Sequence, residues 1–263
     1  MVLKLKLVLG IFFFLVLQIQ AQTNYLNSYD NTRIAYTVQG EGVPILLLHG
    51  FIQNGKSWDK TELKKSLILR GYKVIVPDLR GNGDSDKPQS DKAYNNDAEV
   101  KDLMLLMDVL EIKNYIAIGY SRGSIVLAKL LTKDKRIKKA VLGGMGIDFT
   151  YPNWGRRLQF ADAFNGKANE MTEGAVAYAK SIGADLRSLH LQQKFQPVTT
   201  VDELAELNLK LLVIAGDKDL DNGNPVELKN AIPKAVLKII PGDHNGTYKT
   251  SVFSNKILDF LKD

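Results

Sequence analysis

The chain has no cysteine, only three histidines and only two tryptophans in 263 residues, and the first two scarcities remove whole classes of chemistry. Without cysteine there is no disulfide, no thiol nucleophile, no cysteine zinc site and no cysteine to carry a lipid. With His49, His190 and His244 as the only imidazoles, a reaction that needs a base near neutral pH has three candidates. Neither a glycine-rich phosphate loop ending in Lys-Ser or Lys-Thr nor a dinucleotide fingerprint follows the first strand-like runs, and no metal-ligand constellation is visible. No cofactor is therefore expected. Internal repeats and low-complexity tracts are also missing.

Charge of one sign is in short supply as well. The formal charge is +6, and it falls to +4 once Lys4 and Lys6 are set aside, too mild a basic excess to point to nucleic acid. Lys133-Asp134-Lys135-Arg136 and Lys138-Lys139 read as a solvated helix end and connection. With 45% hydrophobic and 24% charged residues, the composition is that of a globular domain. A chain of this length is expected to bury one full core.

The long apolar runs are few, and the most continuous lies at the start. Lys4 and Lys6 precede residues 7–17, which are apolar throughout apart from Gly10 and are followed by a polar stretch with Ala21. A basic front, a short apolar run and a small residue predict a secretory signal over residues 1–21, cleaved after Ala21. A permanent span needs about 20 apolar residues, so an uncleaved anchor is the weaker reading. The expected location is outside the cytoplasm, with no stable membrane span after cleavage.

Beyond residue 21, short apolar runs alternate with segments of helical period, the pattern of a parallel sheet covered by helices on both faces. The runs are 45–48, 73–77, 115–119, 140–142, 211–215 and 236–240, each lacking a polar face. Ahead of them, residues 33–38 alternate and are expected to pair antiparallel with 25–29, for eight strands in all. Helices are expected after the capping region Asn95-Asn96-Asp97, from a Ser57 cap through Leu69, and over residues 252–261. Met104 and Met107 read as core. Residues 147–206 break the rhythm with mixed helical signals and no apolar strand. Such a connection is expected to be functional, here a helical cap over the C-terminal edge of the sheet.

The decisive motif is Gly119-Tyr120-Ser121-Arg122-Gly123, set between a strand-like run and a helix-forming segment. A sharp strand-to-helix turn presses backbone on backbone, so glycines flank a serine whose hydroxyl is lifted clear of the chain. The N–H of Arg122 then lies at a helix N-terminus, where it can stabilise a developing oxyanion. A serine hydroxyl needs a base near neutral pH. His244 follows the last strand run and is expected at the same sheet edge as Ser121, whereas His49 sits in a strand-end turn and His190 in the cap. A carboxylate must hold the base in one tautomer, and Asp217, Asp219 and Asp221 all follow the penultimate strand.

Taken together, the chain from residue 22 onward resembles the α/β-hydrolase superfamily. The resemblance rests on the order Ser, Asp, His, on the turn His49-Gly50-Phe51, and on the loop Asp78-Leu79-Arg80-Gly81-Asn82-Gly83-Asp84-Ser85-Asp86-Lys87-Pro88. It implies a mostly parallel eight-stranded sheet with a small helical cap, Asp219 as the acid, and the N–H of Phe51 as the second oxyanion donor beside Arg122. In a family variant the acid follows the preceding strand, where Asp148 stands. The chain departs from many relatives at Asn82, where they carry histidine, and at Arg122, whose charge would bias the pocket towards anionic or polar substrates unless it pairs with the loop. The implied activity is acyl transfer from a small ester, lactone or thioester. Carbon–carbon hydrolysis, amide hydrolysis, perhydrolysis and a non-catalytic binding protein on the same scaffold are the alternatives. Ser121 argues against dehalogenases and epoxide hydrolases of this fold, which use aspartate at the elbow. The cap's aromatic and apolar side chains, Phe149, Tyr151, Trp154, Leu158, Phe160, Phe164, Met171 and Tyr178, are expected to pack on the sheet rim and line an acyl pocket. Arg156, Arg157, Lys167, Lys180 and Arg187 are expected to face water.

Overall fold

A computed structural model describes residues 22–262; the predicted signal peptide lies outside them. Eight strands form one sheet: β1 Thr23–Asn27, β2 Arg33–Gln39, β3 Val43–Leu48, β4 Tyr72–Pro77, β5 Tyr115–Tyr120, β6 Ile137–Gly143, β7 Lys210–Gly216 and β8 Ala235–Ile240. Their order is β1-β2-β4-β3-β5-β6-β7-β8. The first two pairings are antiparallel and the other five parallel.

The central strands are apolar on both faces because helices cover both. Ile45, Leu46, Leu47 and Leu48 of β3 are wholly buried, and every residue of β5 is buried. On one face α1 (Glu62–Leu69) and α9 (Ser251–Lys262) pack over Leu47, Val74, Ile118 and Ile214. On the other, α2 (Ala98–Val109), α3 (Arg122–Lys133) and α8 (Pro225–Asn230) pack over Leu46, Ile75, Ala117 and Val213. Each fully buried aliphatic side chain contributes about 1.5–3 kcal/mol of transfer free energy, so these two layers dominate stability. Met107 is buried and Met104 packs beside it, as expected of core residues.

Several local expectations are corrected. β8 is an edge strand, and Val236 and Ile239 point to solvent although every residue of the strand except Lys238 is apolar. The segment after Ser57 does not form one helix: Asn54 caps a 3-10 turn over Gly55–Lys60, and the side chain of Thr61, not Ser57, caps α1. Asp97 precedes α2 in a left-handed conformation and makes no side-chain cap. Asp134, expected on a solvated helix end, is buried and accepts a hydrogen bond from Tyr115 Oη at 2.8 Å.

Residues 147–206 carry α4 Gly155–Asp162, α5 Glu173–Ser181, α6 Leu186–Lys194 and α7 Val201–Ala205. The layer over the sheet edge is narrower than the whole segment. Ile147 and Phe149 belong to the main core. Leu204 of α7 joins that core too, and Glu203 pairs with Lys129 of α3 at 2.6 Å. The layer proper is α4–α6, whose Ala163, Phe164, Val176, Ala179 and Leu189 form a separate apolar cluster with Ile52.

Candidate active site

The turn at Ser121 is built by close backbone contact. A Cβ added at Gly119 would lie 2.5 Å from the Gly123 carbonyl oxygen, and one at Gly123 would collide with the Leu48 carbonyl oxygen. Both positions therefore require glycine. Between them Ser121 takes φ 53° and ψ −124°, outside the regions an L-residue favours. The strain is held from behind: Ser121 N–H donates to the Gly143 carbonyl at 2.8 Å, and Ser124 Oγ donates to the same oxygen at 2.8 Å.

At the tip, His244 Nε2 lies 2.8 Å from Ser121 Oγ, and His244 Nδ1 lies 2.7 Å from Asp219 Oδ2. Asp219 is buried and His244 is partly exposed. The other Asp219 oxygen accepts from Asn222 Nδ2 at 2.8 Å. Asn222 Nδ2 also lies 3.0 Å from His244 Nδ1. Both nitrogens are donors when the imidazole proton points at Asp219, so the carboxylate is the acceptor they share. Tyr120 Oη donates to the His244 backbone carbonyl at 2.7 Å, with its ring tilted against the imidazole. Sequence reading found neither Asn222 nor Tyr120, because only the folded loops bring them to His244.

The other acidic candidates stand apart. Asp217 is exposed and accepts from the Gly242 N–H at 2.9 Å. Asp221 is exposed at the cavity rim. Asp148 packs beside Gly223, and the His244 ring nitrogens face Ser121 and Asp219 instead.

The two expected oxyanion donors flank Ser121. Arg122 opens α3, so its N–H has no acceptor within the helix. The Phe51 N–H makes no hydrogen bond. Gly50 runs alongside the serine, and a Cβ built there would be 3.4 Å from Ser121 Cβ. The adjacent Ile52 has φ 60°, a second strained position at the site. The Phe51 ring makes edge contacts with Phe160 and Phe164 at 5.3–5.9 Å, docking α4 and the turn after it on this loop.

His49 and His190 are structural. His49 Nε2 accepts the Leu79 N–H at 3.0 Å, so Nδ1 carries the proton and donates to the Gly50 carbonyl at 2.9 Å. Burial holds this imidazole below its ordinary value and hence neutral, with Asp78 opposing. His190 is buried against the Ala161 carbonyl.

Arg122 departs from both expectations. Its side chain neither meets the Asp78 loop nor offers charge to the pocket: it forms a two-pronged pair with Glu99 of α2 at 2.6–2.7 Å and donates to the Gln192 carbonyl at 3.1 Å. Arg122 and Glu99 are both buried, and the charges cancel locally.

A cavity of about 470 Å³ opens over Ser121 and His244, within the size range of small-molecule sites. Trp154, Phe160, Met171 and Tyr178 line it as expected. Phe149 is buried in the main core, Phe164 lies beneath the helical layer, and Tyr151 and Leu158 face solvent. Arg156 and Arg157 line the cavity rather than facing bulk water.

Comparison with known proteins agrees with this architecture. Residues 43–171 match the family model described as alpha/beta hydrolase fold. A 2-hydroxymuconate semialdehyde hydrolase from Pseudomonas sp. (strain CF600) is 31% identical over 130 residues, 47% of this chain and 46% of that protein. A non-heme chloroperoxidase of Streptomyces lividans is 32% identical over 117 residues, 43% of this chain and 41% of that protein. Each match thus spans less than half the length of the relative. An esterase from Exiguobacterium antarcticum superposes with a TM-score of 0.77 at 18% identity, covering 92% of this chain and all of that one. Sheet order, the strained serine turn and these matches together show that the chain has the α/β-hydrolase fold.

Proposed function

We propose that the chain is an exported serine hydrolase that cleaves a small carboxylic ester, lactone or thioester through an acyl-enzyme. The observation that carries this reading is the unbroken contact series from Asp219 through His244 to Ser121 Oγ, ending beneath two unpartnered N–H groups in one cavity. Export rests on residues 1–21 alone.

In this mechanism Ser121 Oγ attacks the substrate carbonyl carbon while His244 Nε2 takes its proton. Asp219 holds the imidazole with Nδ1 protonated and stabilises the imidazolium as it forms. The N–H groups of Phe51 and Arg122 receive the oxyanion; one such donor is worth about 10²–10³ in turnover. His244 then protonates the leaving oxygen, and water, deprotonated by the same nitrogen, releases the acid. A binding protein on this scaffold would have no need for a strained serine with a second strained residue beside it.

The cavity is lined and roofed, so medium-length soluble esters are favoured over triglyceride at an oil surface. Rates on soluble esters of graded acyl length, compared with an emulsified long-chain triglyceride, test this. A sharp rise on the emulsion would overturn it. A second reading has one specific support, the relative named a non-heme chloroperoxidase. Hydrogen peroxide in place of water at the acyl-enzyme would release a peracid and regenerate Ser121. Peracid formation from acetate and peroxide measures it.

A further inference from the structure

Besides Ser121, the cavity wall includes Ile125, Met145, Trp154, Arg157, Gln193 and Gln196. Ile125 and Met145 come from the main core, and Trp154 packs against that core. Arg157 and Gln196 meet at a single atom: Arg157 Nε donates to the Gln193 carbonyl at 2.9 Å, and the Gln196 backbone N–H donates to the same oxygen at 3.4 Å. The two residues are therefore neighbours on the cavity wall.

Neither side chain has an anionic acceptor. The remaining Arg157 bonds go to the carbonyls of Pro152 and Lys194 at 2.9–3.0 Å, and no carboxylate pairs with it. Burial alone pulls this guanidinium below its ordinary value, with no compensating negative charge. Gln196 is buried, 4% exposed, and its Nε2 has no hydrogen-bond partner. An unsatisfied buried amide carries a desolvation cost that a ligand acceptor would remove. Arg156, on the neighbouring wall, also lacks a counter-ion and only covers the Phe160 ring at 5.0 Å. Opposing these, Asp221 is the one cavity-lining carboxylate among the described residues and makes no ion pair; Asp219 lies behind His244. Arg122 is cancelled by Glu99. What remains is a donor-rich, cationic corner beside a nucleophile.

We propose that the substrate carries a carboxylate, in addition to the bond cleaved, which seats in the corner formed by Arg157 and Gln196. This rests on the serine hydrolase reading. A planar carboxylate is the natural complement of a guanidinium edge and an amide N–H. A neutral ester of equal length brings no counter-charge to Arg157 and no anionic acceptor to the Gln196 amide, and a site built on an unmet donor discriminates strongly against the ligand that lacks the acceptor.

The test compares matched substrates. Methyl hydrogen adipate against methyl hexanoate places the carboxylate on the acyl half; para-acetoxybenzoate against para-acetoxybenzamide places it on the leaving half. In one of the two pairs the anionic member is expected to have the higher kcat/KM, by about ten- to a hundredfold, the worth of a hydrogen bond to a charged group. Gln196→Met, which keeps the side-chain length and breaks no existing hydrogen bond, is expected to collapse that ratio towards one. Arg157→Met tests the same corner, with a thermal melt to verify folding. Calorimetric titration of the Ser121→Ala protein with methyl hydrogen adipate reads binding without turnover, and Gln196→Met in that background is expected to weaken it at least several-fold. Ratios of one or less in both pairs, on an enzyme that hydrolyses the neutral esters, overturn the anion corner and leave the hydrolase reading standing. No turnover of any ester together with no labelling of Ser121 by a fluorophosphonate overturns the hydrolase reading itself; the titration then decides the corner, absence of binding ending it.

Discussion

Asn222 Nδ2 and Asp219 Oδ1 are 2.8 Å apart, so the carboxylate that faces His244 with one oxygen is held from the other side by an amide. Both residues are buried, and rotation of the carboxylate would break the pair. Asp219→Asn is expected to lower turnover by about 10⁴, the cost of a misplaced tautomer in other triads. Asn222→Ala should cost about tenfold in kcat, since it removes one hydrogen bond to a charged group. Asp217→Asn and Asp148→Asn should remain near wild type. Steady-state kinetics on a soluble ester checks all four, and damage confined to Asp148→Asn would move the acid to the preceding strand.

Arg122 and Glu99 form a buried two-pronged pair. Removing one partner strands the other charge, so Arg122→Met is expected to destabilise the protein by about 3–5 kcal/mol. The double variant Arg122→Met, Glu99→Leu should recover most of that loss, because neither charge is then buried. Urea unfolding of the two singles and the double gives the coupling; additive losses would mean that the pair does not act as a unit.

The glycines differ sharply in what surrounds them. Gly123→Ala drives a methyl group into the Leu48 carbonyl and should cost about 3 kcal/mol or more, with loss of the serine's position. Gly155, at the start of α4, has nothing within 4 Å of a built Cβ. Gly155→Ala should be neutral to about 1 kcal/mol stabilising. Thermal melts of the two variants decide it, and similar losses would contradict the backbone-contact account of the elbow.

His49 is neutral in the folded chain because burial lowers its value below 6.5, the ordinary one. The unfolded chain binds a proton that the folded chain refuses, so this contribution is complete above about pH 6.5 and is lost as pH falls towards the folded value. The limiting slope is about 1.4 kcal/mol per pH unit. Urea midpoints at about pH 7.5 and about pH 5.5 should differ less in His49→Gln than in wild type. Equal differences would show that His49 does not carry the effect.

The strands, the serine turn and His244 were legible because their signals are local. Residues 45–48 and 115–119 are apolar without a break because both faces are covered, and Gly119 and Gly123 bracket Ser121 within five residues. The partners of Arg122 were not legible: Glu99 is 23 residues away and Gln192 is 70, and only the packing of α2 and α6 on α3 joins them. β8 misled because an edge strand can expose Val236 and Ile239 without changing its apolar pattern. The role of Phe51 was half visible. Its N–H follows from the turn, but the docking of its ring on Phe160 and Phe164 depends on where the α4 layer comes to rest. Arg157 looked like a surface charge because helical periodicity cannot show that carbonyls at the end of α6 would draw it inward.

The most direct test of the account is fluorophosphonate labelling, read by mass spectrometry of the digested protein. The probe should form one adduct, on the peptide bearing Ser121, with labelling abolished in Ser121→Ala and slowed by orders of magnitude in His244→Ala. Labelling of His244→Ala at the wild-type rate, or ester turnover by Ser121→Ala above about a tenth of wild type, would contradict it.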